Sequence, residues 1–449
     1  MTRCFLFARG FMESYLLDWV NLLLRWTHVI TAIAWIGASF YFVFLDNSLH
    51  KPTAPDLVKK GVDGELWAVH GGGFYHPQKY LVAPKAMPEN LHWFYWESYA
   101  TWLSGFGLFT VLYLFNAGTF MVDKTVHDWS SGAAVTAALG FLVAFWFVYD
   151  TICRLFGRKK NGDLIVGAGV FVFVVFAAWL ACQLFAGRAA FLLVGAMLAT
   201  AMSANVFVWI IPGQRKVVAQ LKAGQPVDPI YGWRAKQRSV HNTYFTLPVL
   251  LAMLSNHYGW LYSGEHNWVV LVLLMLVGAL IRHSFVARHK ALVLGKRVPW
   301  EHAAGGVLAL LVMMVWLKPA PEPEVPAMAA APQAGGQGAI HTVAATGAGG
   351  AAPMAAAGAA TTAAGGAAQE TGFAQVKSVI DQRCVMCHSA QVQSKNISFE
   401  ATGSIGRHAQ QIYQQAVVMK LMPLNNATQM TAGERDVIKR WYEAGAPAQ

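Results

Sequence analysis

Eight long runs of apolar residues limit what the first 317 residues of this chain can fold into. Runs of roughly 18–25 apolar residues are long enough to cross the hydrocarbon core of a bilayer as helices. They lie at about Leu16–Leu45, Leu91–Phe115, Gly132–Ile152, Leu164–Phe185, Phe191–Ile211, His241–Leu261, Trp268–Phe285 and His302–Leu317. The sequence therefore predicts an all-α fold whose residues 1–317 form a polytopic helical membrane domain of about eight spans. No A-x-A sequence follows the first run, which argues against a cleavable signal peptide.

The basic residues of the chain indicate its orientation in a bacterial inner membrane. The net charge is +11, but Lys and Arg concentrate in the loops after the first, third, fifth and seventh runs, as at Arg158, Lys159 and Lys160. Basic loops stay in the cytoplasm, so both termini are expected in the periplasm. This distribution of basic residues is typical of a protein whose partner is a lipid bilayer, and it argues against binding to nucleic acid.

A C-x-x-C-H sequence near the end of the chain predicts covalent haem c. Cys384 and Cys387 would bond to the haem vinyl groups, and His388 would become an axial ligand of the iron. Met422 lies in a predicted loop where its thioether can supply the sixth ligand, with Met419 and Met430 as rivals. The remaining cysteines suggest no disulfide framework.

Residues 371–449 have the size of a small all-α class I cytochrome c domain. We expect helices at Phe373–Arg383 and His408–Lys420, and a third that begins at a capping box of Thr431 and Glu434. Phe373, Val376 and Trp441 are the expected core. Residues 318–370 are rich in Ala, Gly and Pro and predict a flexible linker. With both termini outside, this cytochrome domain is expected in the periplasm.

The membrane region holds more histidine than packing requires. His28, His92, His241, His257 and His283 lie in or at the ends of the runs, and the expected topology puts His302 near the cytoplasmic face with His92, His241 and His283. Ionisable groups at bilayer depth are costly and are usually functional. Together with Glu97 and Arg282 they indicate either a polar substrate cavity or imidazoles that hold b-type haem. The residues alone leave both interpretations open.

The first cytoplasmic loop contains three consecutive glycines, Gly71, Gly72 and Gly73, followed by Phe74 and Tyr75. Glycine lets the backbone approach a ligand closely, and aromatic faces can stack on a planar molecule. We therefore predict that this loop contributes to a binding site. The alternative is an interfacial loop whose aromatic rings lie at headgroup level.

Several segments resemble the bacterial membrane-bound urate oxidases, or urate hydroxylases, of the PuuD type. The likeness covers nearly the whole chain except the linker, and its most specific parts are the GGGFY and HNTYFTLPVL sequences. It rests on Trp26–His28, Ala34–Gly37, Val69–Tyr75, Leu91–Trp93, His241–Pro248 and Ser255–Tyr258.

The resemblance implies that urate and water become 5-hydroxyisourate, while electrons pass to the fused cytochrome c and no hydrogen peroxide forms. Within that reaction His92, Glu97 and His241 are the candidate catalytic residues. Gly72, Gly73, Phe74, Asn242 and Arg282 are the candidate urate-binding residues. Downstream partners would be a cytochrome c or a terminal oxidase.

If urate binds near the cytoplasmic loops, its electrons must cross about 30 Å of bilayer. We therefore hypothesise haem b in the membrane domain, with His28, His257 and His283 as ligands. A different class of function is a non-catalytic subunit that passes electrons between quinol and cytochrome c. It would need the same haems but no urate site. A haem- or metal-handling protein is a third interpretation, and a transporter is the least favoured because no inverted repeat is visible.

Overall fold

The computed structural model describes residues 2–80, 84–85, 87–124, 126–318, 372–389, 397–418 and 420–447. The predicted linker, residues 318–370, lies outside them apart from Lys318, and so does Met419. The chain divides into two compact units, Met1–Pro319 with Met419–Gln429, and Ala320–Val418 with Met430–Gln449. Each is described by itself.

Helices make up most of the described chain, as the sequence predicted. They are α1 Thr2–Ser48, α2 Pro55–Lys60, α3 Trp96–Phe109, α4 Ala117–Phe120, α5 Ser131–Phe156, α6 Gly162–Leu184, α7 Gly187–Ala204, α8 Ile211–Lys222, α9 Pro229–Leu254, α10 Asn267–Val293, α11 Glu301–Trp316, α12 Phe373–Arg383, α13 Thr402–Arg407, α14 Ala409–Ile412 and α15 Ala432–Glu443. π-helical stretches lie at Thr110–Leu114, Asn205–Ile210 and Tyr413–Val418, and 3₁₀ turns at Ser255–His257, Gly259–Leu261 and Leu424–Asn426.

Apolar helices long enough to cross a membrane are present in the first unit. Among the residues that the structure describes, five segments qualify: Trp19–Ser48, Ser131–Phe156, Gly162–Leu184, Gly187–Lys222 and Asn267–Val293. α11 is apolar but shorter. Every one of the eight predicted runs falls largely on helix, yet α3, α9 and α11 stay predictions as spans. Several apolar helices are compatible with a membrane protein.

Small side chains let the helices of the first unit pack closely. Ala134 and Ala138 of α5, and Ala178 and Ala181 of α6, are completely buried. At Gly195 of α7 an added Cβ would lie 2.6 Å from the Cβ of Ala252 on α9, closer than two carbons can approach. Such small-residue contacts are typical of helix packing in membranes, and here they let α9 pack closely against α7.

Short strands interrupt the helices between α2 and α3. β1 Val62–Glu65 pairs with β4 Gln78–Tyr80, and β2 Ala68–His70 pairs with β3 Gly73–Tyr75, both antiparallel. The β2–β3 turn consists of Gly71 and Gly72, whose φ angles are +58° and +81°. A two-residue hairpin of this kind needs positive φ at both positions, which explains two of the three glycines.

The second unit contains its own small core. Val376 of α12 and Trp441 of α15 are completely buried, and Phe373 packs partly buried against the same cluster. α12 matches the predicted first helix, and the predicted second helix corresponds to α14 and the π-helical stretch after it. Thr431 and Glu434 form the predicted capping box of α15. The helices and core predicted from sequence are therefore confirmed here, whereas the cytochrome assignment stays a prediction.

Candidate functional site

One face of α9 carries a buried set of linked hydrogen bonds, which we call the His241 network. His241 Nδ1 lies 2.8 Å from the hydroxyl of Tyr149 on α5. Asn205 Nδ2 donates both to the Tyr149 hydroxyl and to Asn242 Oδ1, each at 2.9 Å. Asn242 Nδ2 donates to the backbone carbonyl of Met202 at 3.1 Å. Tyr149 and Asn205 are completely buried, so the network lies within the helix packing of α5, α7 and α9.

A buried ion pair lies beside the His241 network. Arg238 Nη2 donates to Asp150 Oδ1 at 2.6 Å, with only 4% and 14% of the two side chains exposed. Trp209 Nε1 donates to the same carboxylate oxygen at 2.7 Å, and the Arg238 guanidinium lies 5.0 Å from the centre of the Tyr149 ring. Asp150 therefore offsets the charge of Arg238, which makes this position unsuited to a second anion.

A different group of polar residues, the Arg282 cluster, joins α1, α9, α10 and α11. It comprises Phe40, Tyr244, Arg282, His283 and His302. Arg282 Cζ lies 3.7 Å from the centre of the Phe40 ring, and the side chain is 8% exposed. Its Nε and Nη2 are buried and have no hydrogen-bond partner among the described residues. Buried donors normally have partners, so this guanidinium has the donors and the charge to bind an anion.

The histidines of the Arg282 cluster are in ring contact. Tyr244 OH lies 2.7 Å from His283 Nδ1, and the rings of His283 and His302 are 4.5 Å apart between centres. His302 Nδ1 is buried without a partner in the described part of the chain. An imidazole nitrogen without a hydrogen-bond partner among the described residues can accept or donate a proton.

α9 contributes a side chain to each of the two groups. His241 and Tyr244 stand three residues apart on α9, and side chains at this spacing are neighbours on a helix surface. α9 thus carries His241 and Asn242 of the His241 network and also Tyr244, which contacts His283 of α10 in the Arg282 cluster. Between them they supply a cation, imidazoles, amides and an aromatic ring, which are the groups expected of a site for a planar polar anion.

Two other predicted catalytic residues lie at or near the start of α3. His92 is exposed and contacts Phe94 edge-to-face at 4.6 Å between ring centres. Glu97 is partly exposed in the first turn of α3. The adjacent Ser98 donates to Ser203 of α7 at 3.2 Å, two residues before Asn205. Glu97 therefore lies near the level of the His241 network, while the catalytic roles of both residues stay predictions.

The predicted glycine-rich loop has a structural explanation of its own. Gly72 forms the β2–β3 turn, Gly73 begins β3, and Phe74 is 77% exposed. No contact of these residues with the His241 network or the Arg282 cluster is recorded in the described chain. Their part in urate binding stays a prediction, and the exposed Phe74 also fits the interfacial alternative.

The three histidines proposed for haem b have different surroundings. His28 Nδ1 lies 3.0 Å from the Thr101 carbonyl and 3.2 Å from Ser104 Oγ, which leaves Nε2 available. His257 is exposed in a 3₁₀ turn, and the ring of His283 lies against His302. His28 and His283 each have a hydrogen bond at Nδ1 that leaves Nε2 available, which is the arrangement typical of an axial ligand. These residues do not form a facing imidazole pair in the described contacts, so they fit a bis-histidine haem poorly.

The residues of the second unit predicted to hold haem c, Cys384, Cys387 and His388, fit that group well. Cys387 N–H and His388 N–H both donate to the Cys384 carbonyl, at 3.1 and 2.9 Å, which places the two thiols one turn apart. His388 Nδ1 lies 3.3 Å from the Ile397 carbonyl, and this bond leaves Nε2 for iron. Met422 belongs to the segment Met419–Gln429 of the first unit, and its role as the sixth ligand stays a prediction. Its rival Met430 is buried in the core of the second unit.

Sequence reasoning missed most partners of these histidines. Tyr149, Asp150 and Asn205 stand inside apolar runs, and a carboxylate in such a run is a usable signal of function. Phe40 and Tyr244 carry no comparable signal, because aromatic residues are common in apolar helices. A surface cleft of about 830 Å³ between the Gly157–Leu164 and Asp228–Trp233 segments contains no predicted site residue, and we assign no role to it.

The fold and the site together define a helical protein with membrane-type helices around buried polar side chains and a buried arginine whose Nε and Nη2 have no partner among the described residues. Comparison with known families makes the assignment specific. The urate oxidase N-terminal family matches residues 14–318, and the chain belongs to that family. No curated protein and no solved structure gives a match.

Proposed function

We propose that this protein is a membrane-bound urate oxidase that hydroxylates urate with water. The urate monoanion and water give 5-hydroxyisourate, one proton and two electrons, with a new bond from a ring carbon to the oxygen of water. Membership of the urate oxidase N-terminal family supports the substrate. The single structural observation that carries the proposal is the buried guanidinium of Arg282, whose Nε and Nη2 have no partner among the described residues.

Arg282 suits urate by charge and by geometry. Urate is a planar anion whose edges carry carbonyl oxygens, and a guanidinium donates two parallel hydrogen bonds to such an edge. Phe40 covers one face of the guanidinium, which fixes its plane and shields it from water. Because Nε and Nη2 have no partner in the described part of the chain, binding an anion would recover the free energy lost by burying them.

A base must accept the proton released when water attacks. His302 Nδ1, buried and unpaired beside His283, is the best-placed candidate in the Arg282 cluster. Glu97 and His92 remain alternatives from the sequence. A general base of this kind typically contributes 10²–10⁴-fold to a rate.

The second unit would serve as electron acceptor on the periplasmic side. Cys384, Cys387 and His388 would hold haem c with Met422 as the sixth ligand, and that haem would supply a one-electron carrier of raised potential. A soluble cytochrome c or a terminal oxidase would take the electrons onward, so no hydrogen peroxide would form. Haem b at His28, His257 and His283 is a weaker proposal. A pyridine haemochrome spectrum with haem c alone would eliminate it.

Isotopic labelling tests the reaction most cleanly. Purified protein given urate in H₂¹⁸O should incorporate one labelled oxygen into the product and release no peroxide. Incorporation from ¹⁸O₂, or peroxide equal to the urate consumed, would overturn the proposal. The alternative, a non-catalytic subunit between quinol and cytochrome c, predicts no urate consumption and a haem that quinol reduces.

A further inference from the structure

The directions of the hydrogen bonds in the His241 network follow from the backbone carbonyl of Met202. A carbonyl oxygen can only accept a hydrogen bond. The amide group of Asn242 must therefore present its nitrogen to this carbonyl, at 3.1 Å. Its Oδ1 then faces Asn205 as an acceptor. The orientation of Asn242 is thus determined by the main chain of α7.

The orientation of the Asn205 amide follows from that of Asn242. Its Nδ2 donates one hydrogen to Asn242 Oδ1 and the other to the Tyr149 hydroxyl oxygen, both at 2.9 Å. The flipped amide would place two oxygen atoms against each other at that distance. Asn205 Oδ1 is buried without a partner in the described residues, which is a cost of this orientation. Both amide hydrogens are used in the network.

The hydrogen bond from Asn205 to Tyr149 in turn determines which nitrogen of His241 is protonated. Its hydroxyl oxygen accepts from Asn205, so its own hydrogen is available for His241 Nδ1 at 2.8 Å. Tyr149 is completely buried, and of the two acceptors near that hydrogen, the sulfur of Cys153 and His241 Nδ1, the imidazole nitrogen is the stronger. His241 Nδ1 is therefore an acceptor, and the proton of the neutral imidazole resides on Nε2. Cys153 Sγ, 3.8 Å from Nδ1, is compatible with this state as a weak donor.

We propose that Tyr149 and Asn205 are positioning residues that hold His241 as the Nε2–H tautomer. In that state His241 presents a hydrogen-bond donor to a carbonyl oxygen of a planar, amide-bearing anion, and does not act as the base. The functional part rests on the proposed urate reaction, since it takes His241 to contact urate. The tautomer itself does not depend on the reaction. A fixed donor stabilises negative charge as it develops on oxygen.

Nitrogen NMR on the full chain tests the tautomer directly. Protein labelled with ¹⁵N-histidine in lipid bilayers is compared with His241→Gln, so that the difference spectrum isolates His241. The expected result is an unprotonated Nδ1 and a protonated Nε2 at neutral pH. A proton on Nδ1, or a doubly protonated ring, would overturn the proposal. If His241→Gln fails to fold, His241→Asn supplies the difference spectrum instead.

Kinetics test the positioning role. Tyr149→Phe removes the donor to Nδ1, so the His241 signal should shift and kcat for urate should fall roughly 10²-fold with KM little changed. Tyr113→Phe is the matched control, because it also removes a buried hydroxyl, one that donates to Asn256 at 2.9 Å. It should leave both readouts unchanged. Wild-type kcat and an unshifted signal in Tyr149→Phe would contradict the role. A wild-type protein inactive on urate would refute the proposed function alone.

Discussion

Arg282 lies with its guanidinium carbon 3.7 Å from the centre of the Phe40 ring, while two of its nitrogens have no hydrogen-bond partner in the described chain. Stacking on an aromatic ring satisfies the face of a guanidinium but not its edge. Leaving a charged donor buried and unpaired costs free energy. An anion bound at this edge during function would offset that cost.

Replacing Arg282 should weaken urate binding specifically. Arg282→Lys keeps the charge but loses the paired donors, and Arg282→Gln loses both. Because one hydrogen bond to a charged group contributes about 1.5–3 kcal/mol, we expect KM to rise at least about tenfold for Lys and further for Gln. Arg188→Lys is the control, since Arg188 donates to Asn256 outside the Arg282 cluster. Equal effects at both positions would contradict the assignment.

His302 should affect turnover more than binding. His302→Gln keeps a polar side chain of similar reach but removes the imidazole, so kcat should fall by about 10²–10⁴-fold if Nδ1 accepts the proton from water. The steady-state rate of urate loss at saturating urate measures this. His266→Gln, outside the cluster with its ring against Trp316, should retain activity. A near-normal kcat in His302→Gln would shift the role of base to Glu97 or His92.

Sequence patterns predicted the helices better than the site. Apolar runs report burial or lipid contact directly, and the Thr431–Glu434 capping box is a local signal, so both could be read from the chain. The bond from Tyr149 to His241 joins residues 92 positions apart, and such pairs depend on helix packing that no local pattern encodes. The sequence likewise predicted that Gly71 and Gly72 let the backbone approach a ligand. Their positive φ angles show that a tight turn already requires glycine there.

The buried ion pair should matter for stability. Asp150→Asn leaves Arg238 buried with an uncompensated charge, and loss of one partner from such a pair typically costs about 3–5 kcal/mol. Thermal unfolding in detergent should show a clear drop in Tm. Asp128→Asn is the control, because the Lys124–Asp128 pair is 3.6 Å apart and largely exposed; its loss should cost less than about 1 kcal/mol. Similar drops in Tm for both variants would contradict this account.

Acid should loosen α15 through Glu434. Burial alone would raise the pKa of the Glu434 carboxyl, but hydrogen bonds from Thr431 N–H at 2.7 Å and from Arg383 hold that pKa below its usual value. A carboxyl with a lowered pKa stabilises the folded state fully above the unfolded pKa of about 4.3. That stabilisation is lost as the pH falls through the lower folded value.

Hydrogen exchange of peptides from 432–443 in the full chain can follow this change. Protection, corrected for the intrinsic pH dependence of exchange, should decrease below about pH 4.3. Glu434→Gln should have lower protection at neutral pH and a weaker pH dependence. Thr431→Ala should lower protection at neutral pH by about 1 kcal/mol, the usual value of an N-cap. A pH response that persists unchanged in Glu434→Gln would contradict the explanation.

Anaerobic addition of urate to the purified full chain, followed at the haem c absorption band, tests the central claim most directly. The account predicts that each urate reduces up to two haems without oxygen, and that Arg282→Gln needs far more urate while dithionite still reduces its haem fully. A haem c band that does not respond to urate, or that responds equally in wild type and Arg282→Gln, would contradict it.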